Sequence, residues 1–541
     1  MPKIPASKFF PLYAHGDGTR RSYPESLPGL TINSAVRDAI ERISAAAGGG
    51  AITPSLVVEY SDLAGNRQTT PVAADGSTTI TGVAPFLVHF DGRGTRSAVA
   101  TTLAQAWSRP GEAEIGYRMA YGEGLGGAWP YGNGQSRDED RGAPIWGRAF
   151  TALGSRAVTM HCLDTSANAG SISLTVNVTA PPSATNILSA AQGGTGWPTF
   201  TSNTRWTLNR GQDYRSFGEL VTSNLHNVII EATGAGAQPR VQRMVFDSRA
   251  NSSGTSRSSH IRAIGLDIDQ GGCGGVGFDY CGYIDCNVRT IGFSPIYFNY
   301  DNSSALTNAQ RDSLRYPRGF FVWNCTGIGT GGSQYALIFT GRRMHFVGSE
   351  IIQDSGLGGG GNIRIGGESC SIRYCNPYHA VSGSNVNLRL QVPGNDVTNA
   401  NNDWPDNDDR AGQTTFIGQP GRFSYKNAFW AIDNNQLSRA GAVIPNGLVS
   451  CSPQNNDAPE PDEGHEFICF ENLRAFESGT VSIIDGDNMN VGGREISLRN
   501  ARKNNGAGAY LTRTPSANSN RIPAGMDGPY PYETVNTRPV P

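Results

Sequence analysis

The chain has 541 residues, of which 38% are hydrophobic and 17% charged, and its formal net charge is −2. With 69 Gly and 31 Pro, it fits short strands joined by many turns and does not fit a helical protein. No basic block marks a nucleic-acid-binding surface, and no apolar run approaches the roughly 18 residues of a membrane span. We therefore expect neither nucleic-acid binding nor membrane insertion.

Residues 1–50 are predicted to attach the chain to a neighbour or to oligomerise it. An irregular arm over 1–30 precedes "TINSAVRDAIERISAAAGGG", the one clear helix, which ends at the run of three Gly. A helix that only packs on its neighbour is the simpler alternative. The arm contains Lys but no apolar core, so we predict no secretory signal and expect export by lysis, as in a virion, or by a signal-independent route. A mature chain whose signal had been removed would look the same.

Residues 51–82 read as a small β segment, and residues 83–182 as a separate sandwich that ends in two alternating strands and a Pro-Pro linker. This second stretch resembles PKD domains, which are immunoglobulin-like β-sandwiches. The positions that carry the resemblance are Phe90, Asp91, Tyr117 through Gly124, Phe150, Gly154, Val158, Asp164 and Val176 through Val178. The resemblance implies a spacer or adhesion module without catalytic activity.

Residues 183–510 repeat a short apolar strand followed by a turn rich in Gly or Asn. Six segments align at intervals of about 20 to 40 residues, the spacing of solenoid coils. They are "VIIEAT" at 228, "IGLDID" at 264, "IDCNVR" at 284, "WNCTGI" at 323, "VGSEII" at 347 and "RYCNPY" at 373. Alternation directs one residue of each segment inward: Ile230, Leu266, Cys286, Cys325, Ser349 and Cys375. The following residue of each points outward: Glu231, Asp267, Asn287, Thr326, Glu350 and Asn376.

Small residues stacked inside and polar residues outside are what a parallel β-helix requires, because every coil reuses one narrow cross-section. This part resembles the right-handed parallel β-helix superfamily of pectate-lyase-like and phage tailspike proteins. The predicted fold class is therefore all-β: a right-handed parallel β-helix over 183–510, with an N-terminal PKD-like β-sandwich and a short N-terminal helix. Residues 511–541 are predicted to form an extended Pro-rich tail that caps the last coil or wraps a neighbour.

The outward carboxylates are the candidate site. In β-helix enzymes that act on polysaccharides, paired carboxylates, or a carboxylate with Arg, lie in a groove on one sheet face. Hydrolysis needs one carboxyl to protonate the leaving oxygen and another to activate water or attack. The candidate catalytic residues are Glu350, Asp354 and Asp267. The candidate substrate-binding residues are Arg342, Arg343, His345, Glu231 and Asp269.

The alternative is that these residues are only solvated surface side chains, since outward polar residues on a β-helix normally face water. Arg342, Arg343 and His345 would suit a lyase, which needs a base and neutralisation of a uronate. The loop "DNDDR" at 406–410 offers oxygen ligands of the kind that bind Ca²⁺, but it lacks a fixed ligand spacing, which favours a charged loop tip. No metal-ligating residues are assigned and no cofactor is predicted, with Ca²⁺ binding by this loop as the alternative.

Two cysteine pairs raise a separate question: Cys281 with Cys286, and Cys370 with Cys375. A four-cysteine zinc site normally shows two close Cys-x-x-Cys pairs, whereas these pairs have four intervening residues. Free Cys packs like a small hydrophobe, so the spacing favours thiols stacked in the core of successive coils. A disulfide within a pair is the alternative. The odd number of Cys leaves at least one thiol unpaired.

The missing signal, the anchor-like N-terminus and the order of spacer and β-helix favour a virion-type surface protein that binds glycans: a tailspike, fibre or capsid-decorating protein. The expected partners are a glycan or polysaccharide and, through the N-terminal arm, other virion or surface proteins. The expected location is extracellular or on the virion surface, and a tailspike would be a homotrimer. The alternatives are a secreted polysaccharide lyase or glycoside hydrolase with an accessory PKD domain, and a cell-surface adhesin without catalytic activity.

Overall fold

The protein is described by a computed structural model. The described residues are 52–92, 94–97, 115–130, 136–142, 145–164, 168–246, 258–269, 278–290, 296–298, 318–325, 328–330, 337–353, 361–368, 370–379, 386–392, 426–432, 449–453, 464–471, 474–475, 484–485, 495–499, 502–503 and 511–512. The predicted N-terminal arm and helix, the loop at 406–410 and the tail beyond 512 lie outside these residues.

The all-β class is confirmed. The only helices among the described residues are two 3-10 turns, Ala190–Gln192 and Arg215–Phe217. None of the helices described is of the length and apolarity that crossing a bilayer would take. Two bodies of strands share the chain: mainly antiparallel sheets before residue 180, and parallel sheets after it.

The first body, the two-sheet unit, contains eleven strands. They are β1 (Ile52–Thr53), β2 (Val57–Ser61), β3 (Arg67–Pro71), β4 (Thr79–Val83), β5 (Phe86–Asp91), β6 (Arg96–Ser97), β7 (Ile115–Ala120), β8 (Glu139–Gly142), β9 (Ile145–Phe150), β10 (Gly154–Asp164) and β11 (Ala169–Thr179). One sheet has the order β4-β11-β10-β7-β8 and the other β3-β2-β5-β9. The stretch predicted as a small β segment of its own, residues 51–82, supplies β2 and β3 to one sheet and most of β4 to the other.

Strict alternation explains how these two sheets enclose a core. In β5, Phe86, Val88 and Phe90 belong to the buried apolar cluster between the sheets, because successive side chains of a strand point to opposite faces. β11 follows the same rule from Ile172 to Val178. Leu87 and His89, on the other face of β5, are also fully buried. The four-stranded sheet is therefore covered on both faces.

The second body, the parallel stack, consists of β12–β39 arranged in three long parallel ribbons. The first ribbon contains β12 (Ala184–Ile187), β13 (Thr204–Asn209), β15 (His226–Thr233), β18 (Ser258–Ile264), β20 (Phe278–Ile284), β23 (Arg318–Trp323), β26 (His345–Val347), β29 (Cys370–Arg373), β32 (Lys426–Ile432), β34 (Gly464–Glu471) and β37 (Glu495–Arg499). The second ribbon contains β22 (Ile296–Phe298), β25 (Leu337–Arg342), β28 (Gly361–Glu368), β31 (Val386–Val392), β33 (Val449–Pro453), β36 (Ile484–Asp485) and β39 (Leu511–Thr512).

The third ribbon is a six-stranded sheet. Its strands are β16 (Arg240–Val241), β19 (Asp267–Ile268), β21 (Asn287–Thr290), β24 (Ile328–Thr330), β27 (Glu350–Gln353) and β30 (Asn376–His379). Two short parallel pairs complete the stack: β14 (Glu219–Val221) with β17 (Arg243–Val245), and β35 (Arg474–Ala475) with β38 (Arg502–Lys503). The chain thus returns to the same ribbons at each coil.

The corner between the first ribbon and the six-stranded sheet is made by one residue with positive φ in each coil. The residues are Gly265, Asp285, Asn324, Gly348 and Tyr374, with φ between 51° and 67°. Gly takes this left-handed conformation freely, and Asn and Asp tolerate it better than most residues. The sharp corner then directs the next residue into the interior.

Those next residues are the inward column: Leu266, Cys286, Cys325, Ser349 and Cys375, all fully buried. From Cys286 onward, each side chain of the column accepts a hydrogen bond from the backbone N–H of the column residue one coil earlier, as when the Leu266 N–H donates to Cys286 Sγ and the Cys325 N–H donates to Ser349 Oγ. The predicted thiol stack is confirmed for Cys286, Cys325 and Cys375, which are free thiols. The column recurs because its sulfur or oxygen accepts from a buried backbone N–H that the corner would otherwise leave without a partner.

One of the six sequence segments was aligned wrongly. Ile230 and Glu231 lie in β15 of the first ribbon, beside Ala263 and Ile264. The residue next to Asp267 in the preceding coil is Arg240. In this coil the chain reaches the six-stranded sheet later than in the following coils. Alternation therefore predicted correctly that Ile230 points inward and Glu231 outward, but it placed both residues in the wrong ribbon.

The buried thiols carry a direct prediction. Burial raises the pKa of Cys162, Cys286 and Cys375 to about 12, and only the thiolate reacts readily. We expect Cys162, Cys281, Cys286, Cys325 and Cys375 to stay unlabelled by iodoacetamide at neutral pH and to react fully in denaturant, as read from peptides by mass spectrometry. Labelling of Cys286 or Cys325 in the folded protein would contradict the inward column.

Candidate functional site

The predicted carboxylates of the six-stranded sheet do not form a pair. Asp267 lies in β19 next to Asn287, and Glu350 lies in β27 next to Asn376. β19 and β27 are three strands apart, which is about 14 Å at a spacing of about 4.8 Å per strand. Carboxyl groups that share one glycosidic bond are roughly 5 to 9.5 Å apart. Asp354 and the side chain of Arg342 lie outside the described part of the chain.

The start of this sheet carries a compact charged cluster of Asp213, Arg215, Arg240 and Asp269. Arg215 Nη1 donates to Asp269 at 2.7 Å, Arg240 Nη2 donates to the same carboxylate at 2.7 Å, and Arg215 Nε donates to Asp213 at 2.9 Å. The hydrogen bonds from Arg215 lower the pKa of Asp213 to about 2. Partial burial opposes ionisation of Asp269, but bonds from Arg240 and Arg215 outweigh it and lower the pKa. All four side chains are partly exposed.

Aromatic rings come from the same short stretch of the chain as Asp213 and Arg215. Tyr214, between Asp213 and Arg215 in sequence, stacks on Trp197 with ring centroids 5.9 Å apart and an interplanar angle of 15°. Phe217 meets the Trp197 ring edge-on at 5.3 Å. Trp197 and Phe217 are only half-buried. The charged groups are thus partly exposed at the first coils of the stack, and the half-buried rings of Trp197 and Phe217 pack around the buried Tyr214, which lies between Asp213 and Arg215 in the chain.

Glu231 lies apart from this cluster, on the outer face of the first ribbon. Arg205 Nε donates to its Oε1 at 2.8 Å. The sequence had placed Glu231 in one row with Asp267, but the two belong to different sheets.

Arg343 and His345 lie in a third place, the seam between the two bodies. The four-stranded sheet of the two-sheet unit covers the outer face of the first ribbon. The apolar part of the seam is one buried cluster: Leu87, Trp129, Ala149, Tyr280, Ile284, Phe321, Trp323, Val347 and Tyr374. The two bodies are therefore packed side by side through a continuous buried surface.

A second column of residues with positive φ lies along this seam. Its members occupy one position in successive coils: Asn203, Asn227, His260, Tyr280, Gly319 and Arg343. His260 Nε2 lies 3.1 Å from the Pro85 carbonyl, and the Tyr280 hydroxyl donates to Glu59 Oε2 at 3.0 Å. Three of these left-handed residues, His260, Tyr280 and Arg343, thus make polar contacts to the two-sheet unit.

Glu59 is the acceptor at the centre of these contacts. Arg343 Nε lies 2.9 Å and Arg318 Nη1 3.9 Å from its Oε2, in addition to the bond from Tyr280. Its residue is only 5% exposed. One carboxylate of β2 therefore holds groups from three successive coils of the stack.

A chain of hydrogen bonds crosses the seam through two histidines. His89 Nδ1 lies 2.8 Å from His345 Nε2, and His345 Nδ1 lies 2.7 Å from Ser371 Oγ. A Cβ built on Gly147 would lie 2.1 Å from the His345 ring, so only glycine leaves room for the imidazole. Arg373 Nη2 donates to the Ile145 carbonyl at 2.6 Å. His345, chosen from the sequence as a substrate-binding residue, is completely buried in these contacts.

Sequence reasoning missed most of the seam. In "FLVHFD", alternation places Leu87 and His89 on the face opposite to Phe90, and an apolar residue beside a histidine on an outer face indicates a covered surface. The sequence therefore did contain a signal that this face of β5 is covered. The partners from residues 260 to 373 carried no pattern that would connect them with β2, β5 and β9.

Among the described residues, no group of three or more His, Cys, Asp or Glu side chains could hold a metal ion. The arrangement instead offers two chemical properties: an exposed cluster that can hydrogen-bond to hydroxyl groups, and a buried seam that contains ionisable rings. No family model, curated protein or solved structure matches the chain.

Proposed function

We propose that the chain is a virion-type surface protein, of the tailspike, fibre or capsid-decorating class, that binds a glycan. In this proposal the parallel stack is a right-handed parallel β-helix, and the two-sheet unit is a PKD-like sandwich attached to its flank. The three ribbons and the recurring corners support a stiff solenoid that displays one surface repeatedly.

The observation that carries glycan binding is the partly exposed charged cluster of Asp213, Arg215, Arg240 and Asp269, with the half-buried rings of Trp197 and Phe217 in the same coils. Sugar hydroxyls need donors and acceptors in fixed directions, and Arg215, Arg240 and Asp269 hold one another in place. Half-buried aromatic rings offer the apolar surface that complements the C–H face of a sugar ring. An accessible polar cluster on rigid strands suits recognition more than catalysis, since Asp267 and Glu350 are too far apart to share one bond.

We expect the full chain to bind a defined set of glycans on an array, and the double variant Arg215→Ala/Arg240→Ala to bind them at least about tenfold more weakly. The matched control is Arg243→Ala, because Arg243 is paired with Glu219 at 2.6 Å on the neighbouring pair of strands. Equal binding by the double variant and the wild type would overturn the proposed site.

The other elements of the proposal have their own tests. Peptides of the chain should be found by mass spectrometry in purified virions, and their absence there would favour a cell-surface adhesin. Release of reducing ends or of unsaturated products from a bound polysaccharide, lost in Glu350→Gln, would favour an enzyme of the hydrolase or lyase class.

A further inference from the structure

We propose that the seam is an acid-sensitive latch, which holds the two-sheet unit on the stack while His89, His260 and His345 are neutral and releases it when they become charged. The proposal concerns the attachment of the two bodies and does not depend on what the protein binds. It follows from the geometry of three buried rings at one interface.

The first element is the pair of imidazoles. His89 Nδ1 and His345 Nε2 are 2.8 Å apart, so one hydrogen lies between two nitrogens. The second nitrogen of the His345 ring is engaged with Ser371. If both rings were charged, each nitrogen would carry a hydrogen and two donors would face each other. This bond across the seam therefore lasts only while at least one of the two rings is neutral.

The second element is His260. Its Nε2 lies 3.1 Å from the Pro85 carbonyl, an acceptor, so this nitrogen carries the hydrogen and Nδ1 is bare in the neutral ring. Among the described residues Nδ1 has no hydrogen-bond partner. A second proton would create a buried donor without an acceptor, at a ring that packs edge-on against Phe86 at 6.0 Å.

The charges around the rings act in the same direction. The ionisable groups that face them from the packed strands of both bodies are Glu59, Arg262, Asp279, Tyr280, Arg318, Arg343 and Arg373. Four arginines and two carboxylates thus surround the rings, and this excess of positive charge disfavours a further positive charge on a ring. Burial first, and then Arg262, lowers the pKa of His260 well below its usual value. Burial, Arg373 and Arg343 do the same for His345.

The direction of the pH dependence follows from linkage. In the docked state His260 and His345 have a lower pKa than when exposed, where the value is about 6.5. Docking is therefore fully favourable above pH about 6.5. Docking weakens as the pH falls below that value, because the undocked state then binds more protons than the docked state.

The test is hydrogen exchange of the full chain at about pH 7.5 and about pH 5, corrected for the intrinsic rate, together with small-angle X-ray scattering. At the lower pH we expect at least about a tenfold loss of protection in β5, β9, β20 and β23, a larger radius of gyration, and unchanged protection in β10 and β11. Return to neutral pH should restore the compact state.

The variant His89→Gln/His260→Gln/His345→Gln keeps polar amides in the seam but cannot be charged, and we expect it to remain docked at the lower pH. His161→Gln is the matched control, since His161 lies in β10, in the other sheet of the two-sheet unit. Three results would overturn the latch: no change in the wild type, release in the triple variant as in the wild type, or simultaneous loss of protection in β10 and β11. If the triple variant does not fold, the reversible titration of the wild type decides.

Discussion

Replacing Glu59 by alanine is expected to weaken the attachment of the two-sheet unit by about 3 to 5 kcal/mol, the cost typical of breaking a buried ion pair. The change would remove the carboxylate that pairs with Arg343 at 2.9 Å and that accepts a hydrogen bond from the buried Tyr280 hydroxyl. Native-state hydrogen exchange measures this free energy. Protection of β5 and β23 should fall by a factor of about a hundred or more.

The matched control for this experiment is Glu219→Ala. Glu219 pairs with Arg243 at 2.6 Å, but its side chain is 49% exposed. Water screens such a pair, so the loss should stay below about 1 kcal/mol. Similar small effects at both positions would show that Glu59 does not hold the seam together.

Gly348→Asn should separate the two bodies, although the stack itself tolerates asparagine at the same corner. Gly348 has a φ of +61°, and Asn324 occupies the equivalent corner one coil earlier with a φ of 51°. The backbone cost of the change is therefore small. A Cβ on Gly348, however, would lie 2.1 Å from the indole of Trp129 in the two-sheet unit. We expect a lower melting temperature and loss of the near-ultraviolet signal of the Trp129–Trp323 contact.

Gly265→Asn is the control that isolates this clash. Gly265 is a corner residue of the same kind, with a φ of +67°, and the nearest atoms to an added Cβ, the Ala232 Cβ and Arg210 Nη2, are 3.3 Å away. The substitution should change the melting temperature by no more than a few degrees. Equal damage from both changes would mean that backbone strain, not Trp129, decides the outcome.

The inward column could be predicted because it depends on local rules. Each coil must turn at one place and fill one narrow interior, and this requirement repeats residues such as Cys286, Cys325 and Ser349 at a recognisable interval. The failure at Ile230 has an equally local cause: alternation has a period of two and assigns a face, but it does not say to which of three ribbons a strand belongs.

The seam could not be predicted, because its contacts join distant parts of the chain. Glu59 meets Arg343, and His89 meets His345, through side chains that each look ordinary in their own strand. Arg343 and His345 were predicted from the sequence to bind a substrate, and in the structure both contact the two-sheet unit. Their polarity serves the other body of the protein, and a single sequence contains no signal for that pairing.

The side-by-side packing has a consequence for the time course of synthesis. The two-sheet unit is complete near residue 180, but the coil that carries Ser371 and Arg373 emerges from the ribosome roughly 200 residues later, after on the order of 10 to 40 s. Until the coils from Tyr280 to Tyr374 have emerged, Leu87, Trp129 and Ala149 lack some or all of the stack residues that cover them in the folded protein. The nascent chain thus exposes an apolar sheet face for many seconds, and a chaperone that shields this face should raise the yield of folded protein.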